Sequence, residues 1–148
     1  MFRGRFEHAI DDKGRLAVPA RFRSELGGQE EPTVVITNFE RCLVGYPLDE
    51  WERLENRLAT LPQFDPKIIA FQRYFISGAA ECQIDKAGRI LIPATLRQYA
   101  GLSRDCVLVG NLNRFEIWAA ETWGQEFDAL SSRFQSITES MHSLGVGL

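Results

Sequence analysis

A chain of 148 residues, 45% hydrophobic and 11% aromatic, has enough apolar side chain to bury a core, which excludes disorder over most of its length. Its formal charge of −3 argues against a bulk nucleic-acid binder, and no apolar run is long enough to span a bilayer. The polar start Met1-Phe2-Arg3-Gly4-Arg5 lacks the apolar segment of a signal peptide, and the odd, widely spaced Cys42, Cys82 and Cys106 fit free thiols in a reducing cytoplasm better than disulfides or a zinc knuckle.

In chain order, residues 6–10 predict a strand that runs into Asp11-Asp12-Lys13-Gly14-Arg15. Asp at the first turn position can accept from turn amides, and Gly14 at the fourth takes a positive φ without a Cβ clash. Arg15 then opens a second strand, within reach of Asp11, so a longer β-hairpin connection is expected. Pro19 ends that strand and suits the first position of a short helix over residues 20–26, with Gly27 as its cap. Residues 27–32 read as a loop. Residues 33–37 and 43–46 predict a second strand pair. Trp51, Leu54, Leu58 and Leu61 form an apolar stripe at helical spacing that Pro62 stops, and Asp65-Pro66 starts another helix through Phe71 and Phe75 to Gly78.

The whole pattern then returns. Ile84-Asp85-Lys86-Ala87-Gly88-Arg89-Ile90-Leu91-Ile92-Pro93-Ala94 repeats residues 10–20 at an offset of 74, without gaps and with six of eleven positions identical. A strand over residues 81–84 leads into it, a short helix over 94–100 follows, and Gly101 caps it. Strands over 107–109 and 115–118 match the earlier pair. Trp123 aligns with Trp51 and opens a helix bearing Phe127, Leu130 and Phe134 on one face, after which residues 140–148 read as a loose tail. A repeat of this length fixes the architecture. Each half has too few strands to close a sheet alone, so the two interleave. The expected fold is mainly β with α, two tandem modules (1–77 and 78–148) forming a pseudo-twofold β-barrel with external helices. Apolar helical faces left over call for a homo-oligomer.

Charge follows the repeat. Residues 1–23 sum to +3 and 81–104 to +2, whereas 24–66 sum to −6 and 105–148 to −4. Such a chain can turn a basic face to an anionic partner while its acidic faces stay solvated.

The residues Met1-Phe2-Arg3-Gly4, Asp11-x-Lys13-Gly14-Arg15-Leu16-x-x-Pro19, Tyr46-Pro47-Leu48-x-x-Trp51 and Glu81-Cys82-x-x-Asp85-x-x-Gly88-Arg89-x-x-x-Pro93 closely resemble the MraZ family over nearly the whole chain. The doubled Asp-x-x-x-Arg hairpin is similar to the wider AbrB-like swapped-hairpin superfamily, so the modules are expected to be AbrB-like. The resemblance implies a bacterial transcriptional regulator of the division and cell-wall gene cluster, including its own operon. It further implies assembly into a ring, binding to tandem G-rich promoter boxes, a nucleoid-associated location, and Asp11, Arg15, Asp85 and Arg89 as motif residues.

The chemistry of those residues suits double-stranded DNA. A guanidinium fork on Arg15 or Arg89 can pair bidentately with guanine O6 and N7, and a two-stranded β-ribbon enters the major groove. Lys13 and Lys86, at the third and second turn positions, suit phosphate contacts, which position without reading sequence. Arg3, Arg5, Arg21, Arg23 and Arg97 are either phosphate contacts or solvated charges. Gly14 and Gly88 are structural. An antitoxin-type protein with a toxin partner uses the same hairpin, though with one module and a longer tail, and a ring with no nucleic-acid role is a third reading. Catalysis is not expected. His8 and His142 lie in no metal or triad-like setting, no phosphate loop occurs, and Cys82 merely aligns with His8. No cofactor, metal, small-molecule substrate or membrane is implied.

Overall fold

The structure is a computed structural model and describes residues 1–28 and 31–148. The two remaining positions of the predicted loop, Gln29 and Glu30, lie outside the described residues. The first repeat contributes β1 (Arg5–Ala9), β2 (Arg15–Ala17), α1 (Ala20–Arg23) with a 3₁₀ turn (Ser24–Leu26), β3 (Thr33–Phe39), β4 (Cys42–Pro47) and α2 (Leu48–Ala59). A connecting helix α3 (Pro66–Phe71) runs on as a wider π turn (Gln72–Ile76). The second repeat contributes β5 (Ala80–Gln83), β6 (Arg89–Leu91), α4 (Ala94–Tyr99), β7 (Asp105–Asn111), β8 (Arg114–Ala119), α5 (Ala120–Ser132) and α6 (Phe134–Ser143).

Local chemistry explains most of these bounds. β3 and β4 are buried along almost their full lengths because both faces are covered, so they read as apolar runs rather than alternating ones. Asp65 caps α3 by accepting from the Lys67 N–H (2.9 Å), with Pro66 at the first helical position. The two short helices begin at Ala20 and Ala94 as expected, with Pro19 and Pro93, at extended ψ, as their caps instead of their first helical residues.

The strands form a six-stranded sheet in the order β1-β7-β8-β4-β3-β5 and a separate two-stranded ladder, β2-β6. Reading the large sheet backwards while exchanging repeats returns the same order, so a pseudo-twofold axis passes between β4 and β8. The ladder is centred on the equivalent pair Leu16 and Ile90. Each edge strand pairs with a strand of the other repeat, β1 with β7 and β5 with β3. The mixed β and α character and the two tandem modules therefore match the sequence.

The closed barrel does not form. β1 and β5 lie at opposite edges of the sheet and never pair. After each turn the chain leaves the large sheet, because Leu16 and Ile90 are buried by pairing with each other beneath the sheet's apolar face. Leu16, Val18, Ile90 and Ile92 join Ile36, Leu43, Leu108, Phe115 and Ile117 in one core on that face. A second core on the opposite face gathers Val35, Val44, Tyr46, Trp51, Phe75 and Trp118 under α2 and the π turn.

The helices refine two more expectations. The stripe on α2 fades along its length, from buried Trp51 through half-buried Leu54 and Leu58 to exposed Leu61. The helix expected to carry Trp123 through Phe134 breaks at Arg133, where φ is −124°. Ser132 turns its hydroxyl back onto the Ala129 carbonyl (2.9 Å) just before the break, a competing local bond that weakens helix ends. The tail is shorter than expected, since α6 runs to Ser143. No helix of the described residues is long and apolar enough to cross a membrane.

Candidate nucleic-acid interface

Each Asp-to-Arg turn is closed the same way. The Gly14 N–H donates to the Asp11 carbonyl (3.0 Å) and the Asp11 N–H to the Arg15 carbonyl (3.0 Å); Gly88, Asp85 and Arg89 repeat this at 2.9 and 2.9 Å. Asp11 Oδ1 accepts from the Lys13 and Arg15 amides (both 2.9 Å), and Asp85 Oδ1 from the Ala87 and Arg89 amides (both 2.9 Å). Gly14 and Gly88 sit at φ +86° and +80°, where any Cβ is strained. The second carboxylate oxygen then takes the guanidinium: Arg15 Nε to Asp11 Oδ2 at 2.7 Å, and Arg89 Nε to Asp85 Oδ2 at 3.3 Å. Amide donation from Arg15 is the main reason that the Asp11 carboxyl falls to about 2 from its ordinary 3.8, with the Arg15 side chain adding to it. The Arg89 amide lowers Asp85 likewise. Both acids are ionised at neutral pH, and each holds its arginine by Nε, so the terminal nitrogens take no part in that bond.

The sequence suggested two separate hairpin ribbons, and the structure brings the tips together instead. Within the first turn, outside the turn bonds, only the bridge Ile10 to Leu16 pairs the two arms. The strands after the turns pair with each other, Arg15 opposite Leu91 and Ala17 opposite Arg89. The Val18 N–H donates to the Gly88 carbonyl (2.8 Å) and the Ile92 N–H to the Gly14 carbonyl (3.0 Å), so each turn is tied to the other repeat. Arg89 also lies 4.0 Å from Asp11, which bridges the two tips. Because side chains alternate along a strand, Leu16 and Ile90 point to the core while Arg15, Ala17, Arg89 and Leu91 share the outer face. Leu91 is 57% exposed on that face, opposite Arg15, and sequence reasoning missed it; its alignment with Ala17 in the repeat was the available signal.

The remaining candidates divide into three groups. Lys13 and Lys86 are exposed at the turn apices. Arg3 and Arg21 are exposed and line one shallow groove with Met1 and Glu25. Arg5 is elsewhere: its guanidinium stacks over Phe127 (4.6 Å) and Trp123 (5.8 Å) on α5, a use that charge in the sequence does not reveal. Arg23 and Arg97, half-buried, lie on the turn glycines. A groove of about 530 Å³ beside the first turn is lined by Asp11, Asp12, Arg97, Ser103 and Arg104, and Arg104 is a further basic residue that sequence reasoning left out of the site. Cys82, aligned with His8, is buried, and burial pushes its thiol up to about 11, so it offers no reactive thiolate at neutral pH.

A doubled acid-and-arginine turn on a pseudo-twofold ladder sets this chain in a class of small β-ladder proteins with paired arginines on one face. Comparison with known proteins gives the particular family. The model of "MraZ protein, putative antitoxin-like" matches residues 1–74 and again 75–144. The chain is 48% identical to "Transcriptional regulator MraZ" of Desulfitobacterium hafniense over 99% of this chain and 100% of that protein. It is 46% identical to the protein of the same name from Limosilactobacillus fermentum over 97% and 99%, and 44% identical to that of Clostridium beijerinckii over 99% and 100%. The chain belongs to the MraZ family.

Proposed function

We propose that this chain is a DNA-binding transcriptional regulator and not an enzyme, and that the joined tips are its reading head. The observation that carries this reading is the outer face of the β2-β6 ladder, where two guanidiniums are held by ionised acids on one surface. Arg15 and Arg89 read guanine O6 and N7 in the major groove, each good bidentate pair contributing about 1–3 kcal/mol of discrimination. Asp11 and Asp85 fix the forks, Gly14 and Gly88 shape the turns, and Lys13 and Lys86 meet phosphates. Arg3 and Arg21 extend the phosphate contacts, whereas Arg5, though exposed, is stacked on the α5 aromatics. The target is the tandem G-rich boxes ahead of its own operon in the division and cell-wall gene cluster, and its place is the cytoplasm and nucleoid.

One chain presents one reading head, so tandem boxes call for several chains. A homo-oligomeric ring supplies them by effective concentration, and only its tip-bearing edge must be basic, which suits a net-acidic protein. Exposed Phe64 just before α3, Tyr74 in the π turn after it and Phe134 at the start of α6 offer apolar surface for subunit contacts.

Retention on promoter DNA at increasing salt tests the reading. Affinity is expected to fall linearly on logarithmic axes, since phosphate contacts release counterions. Salt-independent retention, or none, contradicts it. The family description favours one second reading, an antitoxin; stoichiometric co-purification of a small toxin expressed from a neighbouring gene would support that instead.

A further inference from the structure

Arg23 and Arg97 occupy equivalent positions in the repeat, yet neither serves its own turn. The Arg97 guanidinium fills the space that a side chain at Gly14 would take, and the Arg23 guanidinium fills the space beside Gly88. Arg97 additionally donates to the Ile92 carbonyl, while the Ile92 N–H is bound to the Gly14 carbonyl. A helix arginine of the second repeat therefore covers the turn of the first, and the reverse. Both arginines are half-buried, and for Arg97 the terminal nitrogen Nη1 is spent on protein. A planar fork fits against a glycine Cα in a way that a lysine ammonium does not.

We infer that Arg23 and Arg97 are crossed positioning residues: each locks the turn of the opposite repeat, and through it the aim of the opposite reading arginine, without touching DNA phosphate. The inference rests on the reading of Arg15 and Arg89 given above, but half of its test does not involve DNA. In the full chain, amide exchange followed by NMR reports each turn separately, through the Gly14 and Gly88 N–H groups. Arg97→Ala is expected to speed exchange at Gly14 by about tenfold or more and to leave Gly88 unchanged, and Arg23→Ala to do the opposite. Arg97→Lys, which keeps the charge and spares the fold, should loosen Gly14 in the same direction.

Binding to promoter DNA supplies the other half. Arg97→Ala weakens binding in the wild-type background but adds little on top of Arg15→Ala, whereas it adds fully to Arg89→Ala. The slope of log affinity against log salt stays at its wild-type value, while loss of a phosphate contact would reduce it by about 0.9. Rescue by Arg97→Lys, a reduced salt slope, or loosening of Gly88 instead of Gly14 overturns the inference. If wild type and Arg15→Ala bind DNA alike, the reading of the site fails, and the crossed exchange pattern still decides the positioning role.

Discussion

The two turns share a backbone and differ in how tightly their charges are held. In the first, Arg15 meets Asp11 at 2.7 Å and Arg89 approaches the same carboxylate at 4.0 Å. In the second, Asp85 holds Arg89 alone, at 3.3 Å. Asp11 is thus the common anchor of both arginines, and the repeat is symmetric in fold but not in electrostatics. The cover differs as well, since Arg97 over the first turn is fixed to the Ile92 carbonyl. The duplicated motif keeps the same backbone turn in both copies, while the side-chain network around it differs.

The glycines give the largest test of this comparison. Gly14→Val and Gly88→Val each force a β-branched residue to positive φ and into a guanidinium, which costs about 2–5 kcal/mol in strain and overpacking. Urea midpoints measure it, and Gly14→Val should be the worse because its covering arginine is anchored. A midpoint unchanged in both would reject the turn geometry. Next come the arginines: Arg15→Ala and Arg89→Ala should each weaken specific DNA binding by about 10–100-fold with the fold intact, as followed by fluorescence anisotropy and circular dichroism.

The acids sharpen the asymmetry further. Asp11→Asn is expected to weaken DNA binding more than Asp85→Asn, because it frees Arg15 and also removes the second acid beside Arg89; the opposite order would contradict this asymmetry. The smallest effect is in the titration itself. With its folded-state pKa depressed to about 2, Asp11 stabilises the turn fully above its ordinary 3.8, and this stabilisation is lost as pH falls through 2. Carboxyl NMR shifts should show the Asp11 midpoint near 2 and that of Asp85 also below 3.8; an Asp11 midpoint near 4 would mean that the amide bonds to its carboxylate are not formed.

Much of this was legible in the sequence, because Asp, Gly and Arg at fixed spacing dictate a turn through local bonds alone. Strand and helix positions followed from apolar periodicity to within a few residues, and the repeat announced the pseudo-symmetry. What the sequence hid was non-local. Nothing in residues 10–20 says that Leu16 will pair with Ile90, and that pairing turns two fingers into one head and leaves the sheet open. Charge alone could not separate Arg3, which lines a groove with Arg21, from Arg5, stacked on Phe127, or from Arg97, laid over a glycine 83 positions away. These fates depend on which apolar or backbone surface the fold brings alongside each stem.

The most direct measurement is a footprint on the DNA upstream of the protein's own gene, comparing wild type with the Arg15→Ala/Arg89→Ala double variant. Protection of regularly spaced G-rich boxes by the wild type, lost in a double variant that keeps its fold and oligomeric state, is the predicted result. Equal protection by both proteins would contradict the paired guanidiniums as the reading head.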